Sequence, residues 1–300
     1  MMRVMRADRM FTLGFAQPLL RASRKLYVGD AALANRGRVL PILMYHSISD
    51  EAEEGVSPYF RVVTSPGKFR RQLGWLAREG WIGVTVTQGL EWQQGRLEFD
   101  RRPVAISFDD GFRDFRTNAF PELKGHGFGA TVSLPTGLLG GKGRLAGREC
   151  MGWTDVRELD SEGIEFGSHT VSHPILYSLS WNEIERELND SKSRIEEELG
   201  KRVTVFAYPY AFPQADRSFV REFASLLRAC DYRLCLTTTV GRAHRDDDKL
   251  ALRRLPVSDC DDLNLLMAKL DGAYDWLALP QGLLKEFRFL RQGRSTHRRL

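Results

Sequence analysis

Val104-Ala105-Ile106-Ser107-Phe108-Asp109-Asp110-Gly111-Phe112 is the stretch that decides how this chain folds. Apolar and small residues following Pro103 predict a buried strand over 104–108. The strand runs directly into two carboxylates and a glycine that lets the backbone turn sharply. Asp109 and Asp110 therefore fall where a parallel strand ends and its loop begins, which is where barrel and open α/β enzymes carry their chemistry. Successive residues of an extended chain point to opposite sides, so the two acids can serve different purposes. An Asp-Asp-Gly turn that merely caps the next helix is the competing reading.

The segments on either side repeat this strand-then-loop pattern. A strand over 39–44 leads into Tyr45-His46-Ser47. Ser65-Pro66 predicts a helix start, with Ser as cap, Pro at the first helical position and Phe69, Leu73 and Leu76 at helical spacing. Further strands are predicted over 81–86, 130–134, 163–166, 203–207, 232–238 and 250–257, with a Gly-rich loop over 137–147. Helices are predicted over 153–159, 216–229 and 261–270. The clearest begins at Ser180, where Glu183 completes a capping box. It carries Ile184, Leu188, Ile195 and Leu199 inward and stops at Gly200. Strand–helix alternation with short connections predicts an α/β fold with a parallel sheet, most economically a closed or nearly closed (β/α) barrel.

The chain has 300 residues, 42% of them hydrophobic, enough for one large α/β domain and against disorder as the default. Its net charge of +5 is unevenly placed. Residues 1–38 carry eight Lys/Arg against two Asp, and residues 285–300 carry six against one Glu. The body, 39–284, is therefore mildly acidic, at −6. This division predicts a catalytic domain over 39–284 between a basic N-terminal extension, 1–38, and a basic C-terminal tail, 285–300. An acidic body does not suit nucleic acid. Basic ends suit an anionic membrane surface or an acidic partner, or are simply solvated. Cys150, Cys230, Cys235 and Cys260 form no Cys-x-x-Cys pair and are expected as buried free thiols. No apolar run approaches the ~18 residues needed to span a bilayer. The N-terminus is a poor signal sequence and a passable amphipathic interfacial segment, which leads to the expectation of a cytoplasmic or membrane-peripheral enzyme, with a periplasmic location as the alternative.

His169 and His173 stand four apart, directly after a predicted strand and before Pro174. At that spacing both imidazoles can share one metal ion. With one carboxylate from 104–112 they make a two-histidine, one-carboxylate site with positions left open for water and substrate. Such a site suits zinc, iron, cobalt or nickel; zinc is taken here as the expected ion.

Ser107-Phe108-Asp109-Asp110-Gly111, His169-Thr170-Val171-Ser172-His173-Pro174 and Phe206-Ala207-Tyr208-Pro209-Tyr210 resemble, in order and spacing, the successive motifs of NodB-type polysaccharide deacetylases, carbohydrate esterase family 4. The resemblance covers roughly residues 39–260. It implies a distorted (β/α) barrel and metal-dependent removal of an acetyl group from an N-acetylated sugar. It also implies Asp109 as catalytic base, Asp110, His169 and His173 as metal ligands, and Tyr210 as the residue whose backbone N–H helps hold the oxyanion. Two departures from the family pattern stand out. Ala207 replaces an arginine common in the third motif, and the late Leu-x-His motif that often supplies the general acid is missing. Both resemble the branch that includes biofilm poly-N-acetylglucosamine deacetylases, in which an early Met-Tyr-His supplies the acid. Met44-Tyr45-His46 matches it, with His244 the next candidate. In the same resemblance Arg254 pairs with the base aspartate, and Trp153 and Tyr208 contact substrate. Ordinary core packing is the competing reading for Trp153. The function expected is therefore metal-dependent N-deacetylation of a polysaccharide or lipid-linked sugar. A non-sugar amidase, an O-acetyl esterase or a non-catalytic carbohydrate-binding relative are the alternatives.

Overall fold

The computed structural model describes residues 6–26, 37–57, 60–140, 143–278 and 280–281. The basic tail over 285–300 lies outside the described residues, as does part of the N-terminal extension. Eight parallel strands form the main sheet: β1 (Ile42–Tyr45), β2 (Trp81–Val84), β3 (Arg102–Phe108), β4 (Thr131–Leu134), β5 (Glu165–Ser168), β6 (Val205–Ala207), β7 (Leu234–Val240) and β8 (Leu252–Pro256). Seven of them close a ring in the order β1-β8-β7-β6-β5-β4-β3, with β3 pairing back to β1.

β2 is the distortion. The long β3 is shared along one edge, its first half pairing with β2 (Trp81 opposite Arg102 through Val84 opposite Ala105) and its end with β4 (Ser107 opposite Thr131). β2 is thus wedged at the bottom of the barrel, where Gly129 N–H donates to the Gly83 carbonyl at 2.9 Å. Gly83 is required there. A Cβ at this position would lie 2.7 Å from both Ile106 Cδ1 and Phe128 Cγ.

Strand alternation sorts the apolar residues into two cores. Leu43, Val104, Ile106, Val132 and Phe206 face outward and pack under the helices. These helices include α1 (Pro66–Arg78), which buries Phe69, Leu73 and Leu76, and α5 (Trp181–Leu199), which buries Ile184, Leu188 and Ile195. Ile42, Ala105, Val205, Ala207, Leu236 and Leu252 share a second, smaller core with Val86 and Leu90 of α2 (Val86–Gln93), which closes the barrel bottom. The same parity then places residues 44 and 46, 107 and 109, 167 and 169, and 254 on the inner side, above this plug. That geometry turns a list of motifs into a site.

Between α2 and α5 lie α3 (Phe120–His126) and α4 (Trp153–Ser161); α6 (Arg217–Ala229) and α7 (Leu263–Asp271) complete the set. The capping box of Ser180 and Glu183 forms, and Gly200 ends α5 in the left-handed region at φ 65°. Three expectations need correction. Ser65 precedes α1 but makes no side-chain cap, because its hydroxyl donates to Asp259 Oδ1 at 2.6 Å instead. The strand expected over 81–86 stops at Val84, since Thr85 and Gln88 form a capping box that starts α2. The loop over 137–147 contributes to a short antiparallel ribbon, Arg144–Leu145 with Arg148–Glu149. The four thiols are free, and all but the half-buried Cys260 are buried. No helix of the described residues is long and apolar enough to cross a membrane.

A valine at residue 83 tests the wedge. Gly83→Val should destabilise the fold by about 1–3 kcal/mol through overpacking against Ile106 and Phe128, read as a lower urea midpoint at unchanged slope.

Candidate active site

The expected site residues meet at the C-terminal ends of the strands. Asp109 follows β3, and its backbone N–H donates to the Tyr45 carbonyl at 3.0 Å, locking it beside the end of β1, where His46 begins the next loop. Arg254 lies within β8 and is 1% exposed. Its guanidinium forms a bidentate pair with Asp109, both N–H···O distances being 2.7 Å. It also donates to the Thr237 carbonyl at 2.9 Å and to Ser107 Oγ at 3.3 Å. Burial alone would raise the Asp109 carboxyl, but the charge and hydrogen bonds of Arg254, together with His169 and His46, hold the group below the usual carboxylate range. His46 Nε2 stands 3.9 Å from Asp109 Oδ2. Burial pulls its imidazole below the ordinary histidine value, against the opposing pull of Asp110 and Asp109.

Asp110 turns the other way because its φ is 73°, a left-handed value that an aspartate tolerates better than most residues. Its Oδ1 lies 3.3 Å from His169 Nε2 and 3.2 Å from His173 Nε2. One ligand atom from each of the three residues lies within 4.8 Å of the others. The donor set fits a divalent ion. His169 Nδ1 is 2.8 Å from the Ala207 carbonyl, which fixes the tautomer with Nδ1 protonated and leaves the Nε2 lone pair aimed at the cluster. The ion-pair partners of Asp110 among the described residues are these two histidines alone. The buried Asp110 carboxylate and the His169 lone pair thus converge where a cation would bring the compensating charge. His173 has no equivalent acceptor: its Nδ1 is buried without a partner, and the Tyr210 ring packs edge-on at 4.7 Å.

Backbone strain concentrates here. Of six non-glycine residues with positive φ among those described, Asp110, Thr170, His173 and Tyr210 belong to this site. The loop that carries the histidines is held from outside by Glu187 on α5. Its carboxylate accepts from Val171 N–H at 2.7 Å, Ser172 N–H at 3.0 Å and Ser172 Oγ at 2.6 Å. Gly137 N–H also donates to the Val171 carbonyl at 2.9 Å. Sequence reading passes over Glu187, since one acid on a highly charged helix looks solvated. Only the capping geometry reveals its role.

His46, Asp109, Asp110, His169, His173 and Tyr210 line a cleft of about 750 Å³, large enough for one or two sugar rings. Tyr208, 2% exposed, forms part of its wall with its ring edge-on to Phe212 and Phe223. Tyr210, 52% exposed, stands at its rim. Two residues fall elsewhere. Trp153 is not among the lining residues; its ring packs against the outer core with the Arg194 guanidinium 5.2 Å from its centroid. His244 is exposed in its loop, also outside the lining, which leaves His46 as the imidazole beside Asp109. Conversely, Arg6, Ala7 and Asp8 from the N-terminal extension do line the cleft. Nothing in their sequence context pointed there.

Comparison with known proteins agrees with this geometry. The polysaccharide deacetylase family model matches residues 96–232. The protein YxkH of Bacillus subtilis (strain 168), named for the same family, is 30% identical over 224 residues, covering 73% of this chain and 71% of its own. The poly-beta-1,6-N-acetyl-D-glucosamine N-deacetylase of Escherichia coli (strain K12) is 30% identical over 138 residues, 43% of this chain but only 20% of that protein. The structure of the Streptococcus pyogenes deacetylase PplD in complex with acetate superposes with a TM-score of 0.67 at 26% identity, covering 78% of this chain and 99% of that one. The chain belongs to the polysaccharide deacetylase family, hydrolases of the NodB type with the distorted parallel barrel described above.

The clamp on the histidine loop is testable apart from turnover. Glu187→Ala should weaken metal binding roughly 10–100-fold, measured by chelator competition, with Glu187→Gln retaining part of the affinity. Both variants should keep the far-UV circular dichroism of the parent.

Proposed function

We propose that this protein is a metal-dependent N-deacetylase of an N-acetylated polysaccharide or lipid-linked sugar. The observation that carries the reading is the adjacency, in one cleft, of the Arg254-paired Asp109 and the Asp110–His169–His173 cluster. Asp110, His169 and His173 would hold a divalent ion, zinc being the first expectation. Such an ion supplies acidified water and Lewis-acid polarisation of the acetyl carbonyl.

The chain's own groups do the rest. Asp109, fixed in orientation and rotamer by two bonds to Arg254, takes the proton of the attacking water. The pair makes it a weaker base than a free aspartate, so its value lies in position. Tyr210, at the rim with φ 57°, offers its backbone N–H to the developing oxyanion. His46, 3.9 Å from Asp109, is placed to carry that proton onward to the leaving nitrogen. An amide nitrogen cannot depart as an anion, so this transfer is obligatory. The products are acetate and a free amino sugar, and the proton count closes.

Two experiments separate the roles. Asp110→Ala, His169→Ala and His173→Ala should each lower bound metal and abolish acetate release. Asp109→Asn should keep the metal and still lose activity. Full metal occupancy in both histidine variants overturns the ligand assignment. For the acid, His46→Ala should slow deacetylation of an N-acetyl oligosaccharide by roughly 10²–10⁴-fold. Hydrolysis of an aryl acetate, whose leaving group hardly needs a proton, should fall far less, at unchanged metal content. Equal loss on both substrates would instead assign His46 to holding the site together.

A further inference from the structure

The N-terminal helical segment, Ala7–Phe11, Thr12–Ala16 and Gln17–Leu26, exposes an apolar face to solvent. Its buried side chains among the described residues are the polar Thr12 and Gln17. Met10, Phe11, Phe15 and Leu19 are 51%, 44%, 57% and 55% exposed. A helix packed on a soluble protein ordinarily shows the opposite arrangement. The segment is nevertheless firmly attached. Arg6 bonds Asp8 at 2.5 Å and the buried Asp261 at 2.8 Å, Tyr274 donates to Asp8 at 2.6 Å, and Trp276 donates to Thr12 Oγ1 at 3.1 Å. Lys269, 1% exposed, completes the ion cluster by pairing with Asp261 at 2.7 Å. The outward apolar face is thus held in place.

Where this segment begins matters as much as what it shows. Arg6, Ala7 and Asp8 line the catalytic cleft, and so do Pro280 and Gln281 at the other described end. Gln281 is fixed there by bonds with Val240 N–H and the Thr238 carbonyl, both 2.9 Å long. The chain beyond Gln281, with the +5 of residues 285–300, therefore continues from this mouth, while the body over 39–284 is −6. Exposed Phe60 and Tyr210 stand on the rim of that mouth.

From this convergence we infer that the cleft-bearing face docks on an anionic lipid bilayer, with Met10, Phe15 and Leu19 entering the interface and the basic C-terminal tail meeting lipid phosphates. An apolar helix face flanked by basic residues is what an interfacial helix requires, and two such signals on one face are what stable anchoring requires. The cleft then opens toward the membrane, and the substrate is an acetylated sugar presented at the bilayer surface. That last consequence rests on the deacetylase reading; the docking does not, because it is measured without turnover.

The test uses the full chain with vesicles of phosphatidylcholine alone or mixed equally with phosphatidylglycerol. The protein should co-sediment with the mixed vesicles at low salt and be released at high salt. Phe15→Glu combined with Leu19→Glu, both at exposed positions, should weaken that binding by roughly tenfold or more, because charges replace the inserting side chains. The same double variant should deacetylate a soluble N-acetyl oligosaccharide at the parental rate. It should also lose any preference for an acetylated glycolipid embedded in mixed vesicles. In a Phe15→Trp variant, excited to compare it with the parent, brominated lipids should quench the added fluorescence. Equal binding to neutral vesicles, unaltered binding by the double variant, or absence of quenching overturns the proposal. So does self-association that the double variant abolishes without any vesicle binding, which would make this face a contact between copies of the chain.

Discussion

The bidentate pair between Arg254 and Asp109 is the constraint on which the rest of the site depends. Arg254 is buried in the barrel mouth on β8, Asp109 follows β3, and β1 lies between those two strands. The guanidinium also bonds the Thr237 carbonyl of β7 and Ser107 Oγ of β3, so one side chain spans four neighbouring strands. Removing either charge would leave the other buried and unpaired, at a cost of about 3–5 kcal/mol. A barrel interior filled by apolar side chains would be at least as stable. The polar pair is maintained where the strands end and the cleft begins, which is where the chemistry needs a fixed carboxylate.

Around this pair the two acids of one motif are driven apart by backbone geometry. Asp109 continues the strand parity into the barrel. Asp110, at φ 73°, leaves it and faces the histidines. The histidine loop repeats the device, with Thr170 and His173 both at positive φ and Glu187 capping its free N–H groups from α5. Strain of this kind persists only where surrounding structure over-determines it. Here the Glu187 carboxylate and the Gly137 bond to Val171 do so.

The N-terminal helix changes the view of the chain from a barrel with loose ends to a barrel whose cleft is partly built by one of them. A buried ion cluster of Arg6, Asp8, Asp261 and Lys269 holds the helix against α7 and the turn that follows it. This attachment uses charge, hydrogen bonding and the packing of Phe11 on Trp276, and it leaves Met10, Phe15 and Leu19 exposed. Net charge, read by segment, and exposure, read by residue, then point to the same face.

Sequence alone determined most of what is local. Strands ending in polar clusters, the Ser180–Glu183 cap and the i, i+4 histidines are short-range patterns, and each reappears in the barrel. The cluster of Asp110, His169 and His173 was legible because its members sit in loops that follow strands whose ends must converge in a parallel barrel. Other features belong to tertiary structure, since they depend on residues far apart in the chain. Arg254 reached Asp109 on paper only through family resemblance; strand parity around a closed ring supplies the physical reason. Trp153 shows the reverse, a motif residue outside the cleft lining whose ring packs against the outer core. Glu187, the wedged β2 and the outward apolar face of the N-terminal helix left no local signal. An acid on a charged helix, a short apolar run and a basic leader each acquire their meaning from what the fold brings beside them.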